Sequence, residues 1–180
     1  NLEKTTIEGY KIYIERYINP RIGIIELQKL SPYHIQNMYT DLIKNGRIKK
    51  GKNNENKGLS NKTVLQVHRI LRKALNQACK MQLVNTNSAD MMEPPKKKKY
   101  EANYLKADEI PEFIEAFKDT ELYIPVILGI GLGLRRGEIL GLRWQDINFE
   151  EKTISINQTL VRVGKENIFS TPKTEKSQRV

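Results

Sequence analysis

The chain has 180 residues, with 38% hydrophobic and 29% charged side chains, a balance typical of a soluble globular protein. Its longest apolar run, residues 123–134, is too short to cross a bilayer, so we expect no membrane partner. Cys79 is the only cysteine and no signal peptide opens the chain, which excludes a disulfide framework and leads us to expect a reducing, cytoplasmic setting.

Positive charge is concentrated in the first half of the chain. Residues 1–100 carry 20 Lys and Arg against 8 Asp and Glu, whereas residues 101–180 carry 11 against 13. A generally basic protein with solvated surface charge would show a more even distribution. The asymmetry therefore favours a domain that binds a polyanion, joined to a domain of another kind.

Two amphipathic helices are predicted at the start of the basic half. A capping box at residues 5–8 and an apolar 3.6-residue repeat predict a first helix over residues 6–18, ending before Pro20. Ser31 followed by Pro32 predicts the start of the second helix. The second helix is expected to bury Ile35, Met38, Tyr39 and Leu42.

The strongest helical signal covers residues 60–80. Ser60 predicts an N-cap, and apolar side chains then fall within one narrow arc. His68 lies in that arc, and we interpret it as a core residue rather than a metal ligand. The opposite face carries basic and amide side chains at steps of three or four. These are the candidate DNA-binding residues Lys62, Gln66, Arg69, Lys73, Asn76 and Lys80.

This line of donors has the chemistry to enter a DNA major groove. Lys and Arg bind phosphates or guanine edges, and Gln and Asn can pair with adenine. A plain solvated helix face is the competing interpretation, and the positive charge without an intervening acid argues against it. Two prolines and four lysines follow at residues 94–99, an extended stretch attracted to anions that predicts a linker. Its lysines join the candidate DNA-binding set as Lys96, Lys97, Lys98 and Lys99.

After the linker, the pattern predicts two helices and then strands. Asp108 is expected to cap the first of these helices, and the apolar run at residues 123–134 predicts a buried helix with Pro125 in its first turn. Two-residue alternation then predicts antiparallel strands, with Gly164 in a turn. The predicted strands cover residues 153–156, 160–163 and 168–169.

A glycine-rich stretch between the second helix and the strands carries the candidate catalytic chemistry. Arg135 stands where a new helix is expected to begin, so its guanidinium and the unpaired N–H groups of that helix would both attract a phosphate. Glu138, one turn further, can brace Arg135 or cap the helix. On this motif alone, arginines that merely solvate a turn are an equal alternative.

Five features occur together in a fixed order. They are the Thr-rich start of the first helix, the Leu-Ser-Pro entry to the second, the helix from Ser60, an arginine box and a hairpin motif. The box and the hairpin read Gly133-Leu134-Arg135-Arg136-Gly137-Glu138, Leu142-Arg143-Trp144-Gln145-Asp146 and Pro172-Lys173-Thr174. In this combination the sequence resembles the tyrosine recombinases of the phage integrase family.

The resemblance implies a mainly α fold with a small antiparallel β-sheet. A helical, SAM-like core-binding domain would occupy residues 1–93, a linker residues 94–100, and the N-terminal part of an α+β catalytic domain residues 101–180.

The resemblance also implies a reaction and its residues. Such enzymes cut and rejoin double-stranded DNA at specific sites through a 3′-phosphotyrosyl intermediate, integrating a phage or mobile element without a metal or other cofactor. Arg135 matches the first catalytic arginine, and Lys173 matches the hairpin lysine, a general acid. Glu138 would support Arg135.

The sequence departs from the family after the arginine box. It contains no His-x-x-Arg motif there, and all eight tyrosines precede Arg135, so none matches the family nucleophile. We therefore expect a truncated, monomeric chain that binds DNA without cleaving it, whereas the full-length protein acts as a homotetramer on DNA in the bacterial cytoplasm. A non-catalytic DNA-binding protein, such as a repressor or transposition accessory factor, is the alternative. An RNA-binding module is disfavoured because the basic half lacks an aromatic stacking platform.

Overall fold

A continuous helical path begins the chain in the computed structural model. α1 (Lys4–Tyr13) runs into a π-helical turn (Ile14–Ile18) and then into α2 (Asn19–Ile22), and a 3₁₀ turn (Leu27–Lys29) follows. The predicted end before Pro20 and the predicted capping box are therefore wrong. The residues that the structure describes are 2–48, 58–96 and 101–171.

The π turn explains how the helix passes through Pro20. Proline has no N–H, so a regular α-helix would leave the carbonyl of Arg16 without its donor. Here the N–H of Asn19 donates to the carbonyl of Ile14, five residues earlier, and this wider turn comes directly before the proline ring. At the other end, α1 begins two residues earlier than predicted, after Glu3, which makes no side-chain cap there.

α3 (Pro32–Asn45) and α4 (Asn61–Lys80) begin where the sequence predicts. The N–H of Ser31 donates to Nδ1 of His34 at 3.2 Å, so the side chain of His34 forms part of the N-terminal cap of α3. Ser60 caps α4, because its Oγ accepts a backbone N–H three residues further on at 3.2 Å. Both helix starts are thus fixed by short-range hydrogen bonds.

These helices enclose one hydrophobic core that also contains a polar pair. Nδ1 of His68 lies 2.7 Å from the hydroxyl of Tyr39. Burial lowers the pKa of His68 and raises the pKa of Tyr39, so both side chains are held in their neutral forms. The predicted core position of His68 is confirmed. The apolar members of the core are Ile18, Ile22, Ile35, Met38, Leu42, Val64, Val67, Ile70, Leu71, Leu75 and Ala89.

Two compact units make up the chain, Asn1–Glu101 and Ala102–Val180. The second contains α5 (Ile110–Glu115), α6 (Tyr123–Leu132) and α7 (Arg136–Gly141), followed by two antiparallel β-hairpins. This architecture confirms a mainly α fold with small antiparallel sheets. Among the helices of the described residues, none combines the length and the apolar character needed to cross a bilayer.

Two predictions about the helices of the second unit are wrong. Asp108 does not cap α5, because the residue directly before the helix is Glu109, which makes no side-chain cap. The Glu109 side chain instead accepts the N–H of Lys106 at 2.8 Å, in the turn before the helix. The side chains of α6 were expected to be buried, yet all are half-buried or exposed. Its main neighbours, α5 and α7, cover only part of its surface.

The strands form two separate hairpins. β1 (Ile147–Asn148) pairs with β2 (Thr153–Ile154), and β3 (Thr159–Val163) pairs with β4 (Glu166–Ser170). The turn between β3 and β4 contains Gly164 as predicted, with a φ of +60° that glycine adopts freely. β1 was missed because two residues give no detectable alternation, and β2 is shorter than predicted.

Candidate functional site

α4 presents a basic face on the side away from the core. The helix buries Val64, Val67 and Leu71 because its apolar residues recur with the helical period. Of the six predicted DNA-binding residues on this helix, five are exposed and Gln66 is half-buried. The exposed five are Lys62, Arg69, Lys73, Asn76 and Lys80.

A shallow groove of about 390 Å³ lies along the second half of this face. Its lining residues all carry a cationic or an amide group, and they are Arg69, Arg72, Lys73, Asn76, Gln77 and Lys80. The groove therefore brings together four of the predicted residues, whereas Lys62 and Gln66 lie nearer the start of the helix. Because four lining side chains are cationic and none is acidic, the groove suits an anionic backbone.

Contacts from outside α4 help to orient this face. The ammonium of Lys73 lies 5.5 Å from the centroid of the Tyr10 ring of α1, a cation–π contact. Arg72, which the sequence analysis did not select, forms an ion pair with Asp90. These partners are distant in the chain or lie in an irregular segment, so periodicity within α4 gives no sign of them.

The backbone of the first linker lysine is tied to the start of α4. The carbonyl of Lys96 accepts a hydrogen bond from Nδ2 of Asn61 at 3.0 Å. Lys97, Lys98 and Lys99 lie outside the described residues, so their predicted role stays a prediction. Lys96 is therefore the one linker lysine that lies within the described residues.

Arg135 stands at the junction between α6 and α7. α6 ends at Gly133, whose φ of +61° turns the chain, and α7 begins directly after Arg135. The Arg135 N–H donates to Oε2 of Glu138 at 2.9 Å, and its Nη1 donates to Oε1 at 2.7 Å. One carboxylate therefore both caps the helix and holds the guanidinium, which are the two contacts expected from the sequence.

The two partners of this pair differ in burial. The Glu138 side chain is 5% exposed, whereas the Arg135 side chain is 72% exposed. The buried carboxylate thus fixes one edge of the guanidinium, while most of the arginine side chain faces solvent. A planar, permanently charged donor held in this way is suited to bind phosphate oxygens.

Two glycines allow α7 to lie directly on β3. A Cβ atom at Gly137 would be 2.4 Å from Oγ1 of Thr159, and one at Gly141 would be 3.0 Å from the carbonyl oxygen of Gln158. The side chain of Gln158 reinforces this contact, because its Nε2 donates to the Gly141 carbonyl at 2.7 Å. Close packing therefore fastens the helix that follows Arg135 to the sheet.

β4 is joined to α7 through β3, the strand on which α7 lies. Ser170, the last residue of β4, is paired with Thr159, and Thr159 is the residue against which Gly137 packs. Lys173 follows three residues after Ser170 and lies outside the described residues. Its role as the family's hairpin lysine stays a prediction.

A second arginine–carboxylate pair holds the 3₁₀ turn Trp144–Asp146 after α7. Arg143 donates to both carboxylate oxygens of Asp146, from Nε at 2.9 Å and from Nη2 at 2.7 Å. Hydrogen bonds from Arg143 and then from Asn157 hold the pKa of Asp146 well below its ordinary value. The pair therefore fixes the chain after the arginine box, a role that the sequence analysis did not assign.

Metal coordination is another chemistry that acidic, His and Cys side chains could supply. Across the ranges that the structure describes, no three or more of these side chains are grouped as a metal ion would require. The candidate functional residues are thus the basic face of α4 and the Arg135–Glu138 pair.

Family models match parts of both units. The model described as the phage integrase N-terminal SAM-like domain matches residues 1–43, and the model described as the phage integrase family matches residues 103–177.

Individual proteins agree with these matches. The "Tyrosine recombinase XerC-like" protein of Caldanaerobacter subterraneus subsp. tengcongensis is 28% identical over 165 residues, which cover 88% of this chain and 39% of that protein. A Tn1549 transposon integrase in complex with a circular intermediate DNA has a TM-score of 0.78 at 20% identity, over 99% of this chain and 55% of that chain. A lambda integrase tetramer bound to a Holliday junction has a TM-score of 0.63 at 18% identity, over 95% and 45%. The chain spans between 34% and 44% of the length of the curated relatives that it matches.

Proposed function

This chain belongs to the phage integrase family of tyrosine recombinases, and we propose that it supplies the DNA-binding helices and the first catalytic arginine of a site-specific recombinase. The proposed reaction cuts and rejoins DNA through a 3′-phosphotyrosyl intermediate, and it serves the integration of a phage or mobile element.

The observation that carries this proposal is the way in which Glu138 holds Arg135. Negative charge builds up on the non-bridging oxygens of a phosphodiester as it is attacked, and a cation placed in advance stabilises that charge without reorganising. Glu138 supplies this placement because its buried carboxylate accepts two hydrogen bonds from Arg135, one from the backbone N–H and one from the guanidinium. A solvated turn would not require a buried carboxylate beneath its arginine.

Lys173 is proposed as the general acid that protonates the departing 5′-oxygen. The position of β4 supports this role, because the strand ends at Ser170 opposite Thr159, against the start of α7. Three residues of chain span at most about 10 Å. We propose that this short connection brings Lys173 to a phosphate that Arg135 also binds.

Duplex DNA is proposed to lie against the basic face of α4 and the linker lysines. The cationic groove would contribute phosphate contacts, and exposed Lys62 and half-buried Gln66, nearer the start of the helix, would extend the same face. The hydrogen bond from Asn61 to the Lys96 carbonyl brings the linker to this end of the helix. The interface would comprise Lys62, Gln66, Arg69, Lys73, Asn76, Lys80, Lys96, Lys97, Lys98 and Lys99.

Assembly and activity are proposed separately for the full-length protein and for these 180 residues. The full-length protein would form a homotetramer on DNA in the bacterial cytoplasm, by analogy with the lambda integrase tetramer bound to a Holliday junction. The 180 residues alone would be monomeric and would bind DNA without cleaving it, since every tyrosine precedes Arg135 in the sequence.

The DNA-binding part is tested by salt titration of two single lysine variants. Binding of a fluorescent duplex should weaken steeply with salt, and Lys73→Ala should reduce the slope of log Kd against log salt by about one. Lys118→Ala removes the same charge from an exposed ion pair on the second unit and should leave the slope unchanged. Absence of duplex binding, or equal effects of the two substitutions, would overturn this part.

The catalytic part is tested with a nicked suicide substrate that traps the covalent intermediate. The 180-residue chain should form no protein–DNA adduct. The full-length protein should form one, and Arg135→Ala should abolish the adduct while retaining most of the DNA binding. A full-length protein that binds its site but never forms an adduct would instead be the repressor or accessory factor.

A further inference from the structure

A chain of hydrogen bonds fixes the orientation of the Asn87 side chain. Asn87 is 7% exposed, and its Oδ1 accepts from the backbone N–H of Ala89 at 2.9 Å. Its Nδ2 donates to the backbone carbonyl of Arg72 at 3.1 Å. A backbone N–H can only donate and a carbonyl can only accept, so these two contacts exclude the flipped amide.

This orientation decides which end of the Asn76 amide faces outward. Nδ2 of Asn87 also donates to Oδ1 of Asn76 at 2.8 Å. Oδ1 of Asn76 is therefore directed toward the buried Asn87, and its Nδ2 occupies the other side of the planar group, on an exposed residue that lines the groove of α4. Among the residues that the structure describes, none accepts a hydrogen bond from that Nδ2.

A donor alone reads DNA differently from a complete amide. Pairing with adenine in the major groove uses the oxygen to accept from N6 and the nitrogen to donate to N7, so it requires both ends of the amide. Guanine O6 and N7, thymine O4 and the phosphate oxygens accept hydrogen bonds and offer no donor. The fixed amide thus disfavours the adenine contact that the sequence suggested for this asparagine.

We propose that Asn87 is a positioning residue that holds Asn76 as a hydrogen-bond donor toward duplex DNA, so that this point of α4 recognises acceptors. The inference rests on the proposed DNA-binding function, and it adds a direction to one contact of that interface. The acceptor belongs either to a base edge or to a phosphate, and the two sources are separated by the base preference.

The test compares Asn76→Asp, Asn76→Ala and Asn87→Ala with the unaltered chain, using duplexes selected from a library with randomised positions. Asp keeps the oxygen that accepts from Asn87 and replaces the outward NH₂ by a charged oxygen, so Asn76→Asp should weaken binding by about tenfold and by more than Asn76→Ala. If the acceptor is a base, one position should change from guanine or thymine to cytosine, whose N4 donates. If it is a phosphate, the loss should be uniform across sequences.

Asn87→Ala tests the positioning itself, because it removes the partner and leaves Asn76 in place. In this variant the amide of Asn76 is free to turn. If the acceptor is a base, adenine should become tolerated at the affected position. If the acceptor is a phosphate, binding should be several-fold weaker. A merely structural role of Asn87 would lower the melting temperature and reduce the affinity for all sequences equally, with the base preferences unchanged.

The outcomes separate the two levels of the proposal. Equal affinity of Asn76→Asp and Asn76→Ala, with base preferences unchanged, would overturn this inference while leaving DNA binding intact. Absence of duplex binding by the unaltered chain would instead overturn the proposed function. Since Asn87 is buried and its substitution can unfold the unit, the comparison at exposed Asn76 decides the question if Asn87→Ala does not fold.

Discussion

Replacement of Gly137 by Ala tests whether close packing on β3 holds the helix that follows Arg135. The added Cβ would lie 2.4 Å from Oγ1 of Thr159 and 2.9 Å from the carbonyl oxygen of Leu160. Both distances are shorter than a carbon–oxygen contact allows, and one of the two atoms is backbone. α7 must therefore move away from the sheet, and the capping contacts of Arg135 should loosen with it.

The expected magnitude follows from two opposing terms. Overpacking costs about 1–3 kcal/mol, and removal of a helical glycine returns up to about 1 kcal/mol. The net loss in the free energy of unfolding of the second unit should be roughly 1–2 kcal/mol. Gly131 of α6 is the matched control, because a Cβ there meets no heavy atom within 4 Å, so Gly131→Ala should gain roughly 0.5–1 kcal/mol.

Thermal unfolding followed by the fluorescence of Trp144, the only tryptophan in the sequence, measures this difference in the second unit. Each kcal/mol moves the midpoint of a domain of this size by about 4–8 °C, so the two variants should melt roughly 10 °C apart. Adding Thr159→Ala to Gly137→Ala should recover part of the loss, because it removes the nearer atom. Equal midpoints for the two glycine variants would refute the packing argument.

Two pH-dependent predictions follow from the shifted groups. Because the pKa of Asp146 is lowered in the folded state, its carboxylate stabilises the fold fully above the ordinary aspartate pKa, and this stabilisation is lost as the pH falls below about 4. The variant Asp146→Asn, followed by Trp144 fluorescence, should be less stable at pH 7. Its stability should not fall further when the pH is lowered through this range. The lowered pKa of His68 means that the unfolded chain binds the extra proton, so the first unit should lose stability as the pH falls below about 6.5. His68→Gln, compared by urea denaturation at pH 5 and 7.5 with circular dichroism, should lose most of this slope, and an unchanged slope would contradict the assignment.

The elements that the sequence predicts well are those whose signals lie within one turn. α4 combines a local Ser60 cap with an apolar repeat along its whole length, and both of its ends were predicted within two residues. The brace on Arg135 is equally local, because Glu138 stands three residues away on the same face. Such features depend on helix geometry alone.

The errors occur where the outcome depends on a competing or distant contact. Pro20 is a strong stop signal, but the π turn before it supplies an alternative hydrogen bond that periodicity cannot indicate. Asp108 is a favourable cap residue, but α5 begins one residue later than that cap requires, and the backbone path that decides this is not visible in the sequence. The exposure of α6 depends on which elements pack against it, and the apolar sequence of a helix does not indicate which elements these are.

The same distinction applies to the proposed DNA-binding face of α4. The cationic character of α4 follows from its own sequence, because each charge belongs to a residue of that helix. The direction of two of its donors depends instead on residues outside the helix. Tyr10 of α1 positions the ammonium of Lys73, and Asn87 positions the amide of Asn76. Affinity for phosphate depends mainly on the number of charges, whereas discrimination among bases depends on donor direction. Substitutions of the supporting residues should therefore change the sequences that α4 selects more than the strength with which it binds DNA.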